Sequence, residues 1–102
     1  MKKYDTEFWQ TVLAEYTQSK SDWRLCGGSK SFANEWHLLT QIHRDFCAKL
    51  CELATEWPER PQGTKVGVTY LFFGTHYSWQ SERQIRIDFL NYLINNKIEF
   101  EV

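Results

Sequence analysis

Apolar residues recur at helical spacing in three parts of the chain. The first stripe, within residues 5–18, is typical of a helix that Asp5 caps, because its carboxylate can accept a hydrogen bond from a first-turn amide. The longest stripe, within residues 31–57, ends before Pro58, since the residue preceding a proline avoids the helical region. A break near residues 38–40 would split this helix and leave a short helix or turn ahead of it. The two stripes consist of Phe8, Trp9, Val12, Leu13 and Tyr16, and of Leu39, Ile42, Phe46, Leu50, Leu53 and Trp57.

The third stripe, within residues 82–95, contains an arginine in its apolar arc. The neighbours of Arg86 on a helical wheel are Ile85, Phe89, Leu90 and Leu93. A guanidinium in that position must find a partner, reach water or receive a ligand. Residues 84–89 also alternate between apolar and polar side chains, and a strand there would place Arg86 on the polar face. We favour the helix because Ser81 and Gln84 have the spacing of a capping box.

Two segments are predicted to be strands. Residues 66–73 are rich in β-branched and aromatic side chains and stop at Gly74. Residues 97–102 alternate between charged and apolar side chains, as a half-exposed strand does. The elements together predict a single α+β domain over residues 1–102, in which three helices pack on a small, at least partly antiparallel sheet.

Composition indicates a folded domain and narrows its location. The chain is 42% hydrophobic and 25% charged, and its net charge is −1 with neither sign concentrated in one segment. That balance argues against a protein that grips nucleic acid mainly through phosphates. We find no apolar N-terminal segment typical of a secretory signal and no apolar run of about 20 residues that could span a membrane. Three cysteines, an odd number, fit reduced thiols, so we predict a cytoplasmic protein.

Three residues of the predicted long helix have the spacing of helical metal ligands. His43, Cys47 and Cys51 follow one another at intervals of four, and Cys26 or His37 would complete a zinc site. The stronger interpretation is that these cysteines flank the core stripe and act as small hydrophobic side chains. The sequence therefore predicts no resident metal and no cofactor.

A turn predicted at residues 27–29 suggests two further kinds of chemistry. Cys26, just before it, could be a nucleophile with a histidine base, but no family signature accompanies it. Residues 27–31 superficially resemble a phosphate loop, yet Ser29 stands where that pattern requires glycine before the lysine. We reject a nucleotide loop, and a weak anion site at the first amides of the next helix stays open. No catalytic residue is predicted.

Rings and arginines concentrate between residues 72 and 86. Aromatic residues make up 17% of the chain, which is more than a core of this size obviously needs. Rigid aromatic residues and arginine contribute most of the binding energy at protein interfaces. We therefore predict a small protein-binding domain of regulatory, inhibitor or immunity type without catalysis. The predicted binding residues are His76, Tyr77, Trp79, Arg83 and Arg86.

Other interpretations of the same residues stay open. Tyr77 and Trp79 could stack on bases in a nucleic-acid-binding module, and the surface could serve a homodimer. A thiol or zinc protein is the second alternative. The structural interpretation is that both rings cover the core while Arg86 pairs with Glu82 one turn earlier or with a neighbouring acidic residue.

Overall fold

The computed structural model describes residues 2–19, 24–35, 40–64 and 79–102, excluding the side chains of residues 79–82. The α+β class predicted from the sequence is wrong, because the described chain is mostly helical and contains one small antiparallel sheet. The predicted strand at residues 66–73 lies outside the described residues. The described elements are β1 (Lys3–Tyr4), α1 (Thr6–Gln18), α2 (Leu25–Gly28), α3 (Lys30–Glu35), α4 (Gln41–Glu56), α5 (Trp79–Asn95) and β2 (Phe100–Glu101).

The sheet joins the two ends of the chain. Lys3 lies opposite Glu101 and Tyr4 opposite Phe100 in an antiparallel register. The Lys2 and Val102 amides and carbonyls exchange two further hydrogen bonds, of 2.9 and 3.0 Å. The strand predicted over residues 97–102 is present only at Phe100–Glu101, while the predicted alternation is present in burial, since the three apolar side chains are half-buried and the three charged ones exposed. A strand as short as β1 leaves no periodic pattern, which is why the sequence did not predict this partner.

The first helix has the capping that its sequence predicted. The Asp5 carboxylate accepts a hydrogen bond from the Phe8 amide at 3.2 Å, which satisfies a donor that the first turn leaves open. Tyr4 and Trp9 stack with ring centroids 6.3 Å apart, on the two sides of the cap, as a hydrophobic staple requires. Trp9, Val12 and Tyr16 are buried, so α1 presents its predicted stripe to the core.

The long helix predicted over residues 31–57 is wrong as a single element. Thr40 has extended backbone angles and its hydroxyl accepts from the His43 amide at 3.3 Å, so it caps the start of α4. The helix is thus interrupted, as the alternative interpretation predicted, and α3 precedes α4 as a separate short helix. The turn predicted at residues 27–29 is also replaced in part, because residues 27 and 28 close the single helical turn of α2.

The buried face of α4 is rotated from the predicted stripe. Phe46 and Leu50 are buried as expected, but Cys47 and Ala54 join them in the core. Ile42, in the first turn, is 48% exposed, although the sequence placed it in the core stripe. A prediction from apolar size alone therefore misplaced the buried face of α4 by part of a helical turn.

Residues 84–89 are helical, and the strand alternative is wrong there. They lie inside α5, which packs mainly against α1 and buries Phe89, Leu90 and Leu93. Ser81 is also within the helix, so the capping box predicted from Ser81 and Gln84 does not mark its start. None of the described helices is both long enough and apolar enough to cross a lipid bilayer.

Helix α5 ends in a left-handed turn at Lys97, whose φ is 51°. The Lys97 amide donates to the Ile94 carbonyl at 3.1 Å and the Ile98 amide to the Leu93 carbonyl at 3.0 Å. These two bonds form a Schellman motif, in which glycine is the usual residue at the left-handed position. The motif directs the chain out of α5 and into β2.

Candidate binding site

Arg83 fastens the N-terminal part of α5 to the end of α1. Its Nη2 donates a hydrogen bond of 2.6 Å to the Tyr16 carbonyl, and its guanidinium carbon lies 4.6 Å from the centroid of the Tyr16 ring. A cation is favourable there because the last carbonyls of a helix carry partial negative charge. The side chain is half-buried, so this predicted binding residue also has a structural contact.

Arg86 lies in the apolar face where the helical wheel predicted it. It is 2% exposed. Phe89 and Leu90, three and four residues later in α5, belong to the same buried face. A guanidinium at that depth must be held by groups within the fold, because removing an unpaired charge from water is costly. Such a group offers almost no surface to a partner.

The other predicted binding residues are only partly located. His76 and Tyr77 lie outside the described residues. Trp79 is the first residue of α5. The structure thus brings Arg83 and Arg86 together on one helix and leaves the contribution of the three ring residues as a prediction.

The core contains more aromatic side chains than we expected from the sequence. Every ring side chain in the described part is buried or half-buried, and Phe46 lies 4.6 Å from Tyr4 and 5.5 Å from Phe32 between centroids. A second cluster joins Trp57 to Phe89, with centroids 5.5 Å apart. Ring pairs at these separations add to the stability that area burial provides. The rings that remain unassigned are Trp23, Trp36, Tyr70, Phe72, Phe73, Tyr77 and Trp79.

Of the three cysteines, Cys47 is buried, and Cys26 and Cys51 are half-buried. Cys47 is 3% exposed, and burial, with a smaller contribution from Cys51, raises the pKa of its thiol to about 11. Burial also raises the pKa of Cys51 above its ordinary value. A thiol with such a pKa is protonated at neutral pH, whereas attack on a substrate requires the thiolate.

The proposed zinc ligands are not grouped in the described part of the chain. Within residues 2–19, 24–35, 40–64 and 79–102, no three His, Cys, Asp or Glu side chains are placed to share a metal ion. His43 is at the start of α4, where its Nδ1 lies 2.6 Å from the Thr40 hydroxyl. Cys26 is half-buried on α2, and His37 lies outside the described residues.

The anion site left open at the start of α3 is filled by Glu15 of the same chain. Its Oε1 accepts from the Ser29 hydroxyl at 2.8 Å and from the Ser31 amide at 2.9 Å, and its Oε2 accepts from the Ser31 hydroxyl at 2.9 Å. Partial burial acts to raise the pKa of Glu15, but these hydrogen bonds and the nearby Lys30 outweigh it and leave the pKa below its ordinary value. Sequence reasoning missed Glu15 because its partners are at least 14 residues away.

A second carboxylate, Glu35, joins the N-terminal segment to α3. Glu35 is 7% exposed. Its carboxylate accepts a 2.8 Å hydrogen bond from the Tyr4 hydroxyl and forms an ion pair with the Lys2 ammonium. Burial, and then the hydrogen bond to Glu35, raises the pKa of Tyr4 well above its ordinary value. The carboxylate borders an open cleft of about 360 Å³ between Lys2, α1 and α3. A glutamate at the end of a short helix gives no sequence signal of this burial.

Comparisons with known protein families, curated proteins and solved structures give no significant match.

Proposed function

We propose that this chain is a small protein-binding domain of regulatory, inhibitor or immunity type that acts in the cytoplasm without catalysis. It binds its partner through ring residues between positions 72 and 79 together with Arg83, whereas Arg86, which is 2% exposed, is too deeply buried to contact a partner. The distribution of rings carries this proposal. Five of the seventeen aromatic residues of the sequence fall within residues 70–79. Aromatic side chains concentrated in one segment are the residues that contribute most to binding energy at protein interfaces.

The contact between Arg83 and Tyr16 supports the location. It joins Arg83, one helical turn after Trp79 in α5, to the end of α1. A contact residue on a rigid helix loses less conformational entropy on binding than one on an unsupported loop. Of the proposed binding residues, Arg83 lies beside the C-terminal end of α1.

The test compares the double variant Tyr77→Ala/Trp79→Ala with the wild type in affinity capture from lysate of the native host. We expect a protein captured by the wild type to be lost from the double variant, with a rise in Kd of at least about tenfold in calorimetry, since interface rings are worth on the order of 2 kcal/mol each. Ile42→Ala is the matched control. It removes an exposed apolar side chain from α4 and should leave the affinity unchanged.

Three outcomes would contradict the proposal. Full affinity in the double variant would show that these rings are not the contact. Loss of the folded circular-dichroism spectrum would show that they serve the core. A gel shift with oligonucleotides that weakens steeply with salt, and that the double variant loses, would favour the nucleic-acid alternative. Light scattering on the wild type shows whether the chain forms a homodimer.

A further inference from the structure

We draw no further inference here: the strongest candidate, the open cleft of about 360 Å³ between Lys2, α1 and α3, is a cluster of acidic residues (Asp5, Glu7 and Glu35) whose buried member already accepts contacts from Lys2 and Tyr4, and nothing in the structure points to a ligand for it.

Discussion

At the scale of single residues, two carboxylates make contacts with distant segments that their positions in the sequence do not predict. Glu15 and Glu35 each take contacts from another segment of the chain, and each leaves few of its acceptor sites to water. A carboxylate in such a place stabilises the fold only while its donors are present, because a buried charge without partners is strongly destabilising. Glu15 therefore joins α1 to the start of α3, and Glu35 joins α3 to Lys2 and β1.

Substitution of Glu15 should reveal its contribution through pH. The pKa of Glu15 is lower in the folded chain than its ordinary value, so its carboxylate adds stability above the ordinary glutamate pKa of about 4.3 and loses it as pH falls through the folded pKa. We expect Glu15→Gln to lower the free energy of unfolding at pH 7 by about 1 kcal/mol, a figure that allows for partial exposure.

The measurement is urea denaturation of both proteins between pH 7 and pH 3. The difference between them should shrink on the acid side. Glu56→Gln, which removes an exposed carboxylate from the last turn of α4, should stay within about 0.5 kcal/mol of the wild type throughout. A difference between Glu15→Gln and the wild type that is constant with pH would contradict the proposed role of the charge.

Lys97 offers a test of backbone strain. Its φ of 51° lies in the left-handed region, which a residue with a Cβ enters at a cost of about 1 kcal/mol and glycine enters readily. We expect Lys97→Gly to raise the free energy of unfolding by about 0.5–1 kcal/mol, as measured by denaturant titration. Lys97→Ala keeps the Cβ and removes the same charge, so it should bring no such gain. Equal effects of the two variants would show that charge, not backbone conformation, matters at this position.

At the scale of elements, neighbours decided which face of a helix became buried. The apolar pattern of α4 identified Phe46 and Leu50 correctly but favoured Ile42 over the smaller Cys47 and Ala54. A wheel ranks residues by hydrophobicity, whereas burial depends on where α4 meets the rest of the core. The same reason explains Arg86, whose position in an apolar arc was visible in the sequence while its burial depended on the packing of α5.

The junction of α5 with α1 should depend on the shape of the Arg83 side chain as well as its charge. Arg83→Ala removes the hydrogen bond to the Tyr16 carbonyl and the contact with the Tyr16 ring, so we expect a loss of about 1–2 kcal/mol in the free energy of unfolding. Arg83→Lys keeps the charge but loses the planar guanidinium, and its loss should be intermediate. Thermal or urea unfolding of the three proteins measures the order. Unchanged stability in Arg83→Ala would show that the contact contributes nothing to the fold.

At the scale of the whole molecule, the fold closes by bringing its two ends together. β1 and β2 pair, and the Phe100 ring lies 5.4 Å from Tyr4 and 5.9 Å from Trp9 between centroids. The Trp9 indole N–H also donates to the Ile98 carbonyl at 2.9 Å. The C-terminal segment is thus held by α1 and by the first strand, which lie almost the whole length of the chain away.

Substitutions at two neighbouring residues of β2 should distinguish the contribution of these chain-end contacts to stability from the general effects of substitution. Phe100→Ala removes a ring from the cluster around Tyr4 and should cost about 2–3 kcal/mol, less than a fully buried ring because Phe100 is only half-buried. Glu101→Ala changes the adjacent, exposed side chain of the same strand and should cost less than about 0.5 kcal/mol. Chemical denaturation measures both. Similar small losses would show that the C-terminal strand adds little to stability.

The sequence by itself determined the features that act within a few residues. The Asp5 cap and the helical character of residues 6–18 and 84–89 are present in the structure, because each depends on residues a few positions apart. The tertiary structure alone decided the pairing of the chain ends, the rotation of α4 and the partners of Glu15 and Glu35. Those contacts join residues far apart in the chain, and their free energy exists only once the elements pack together.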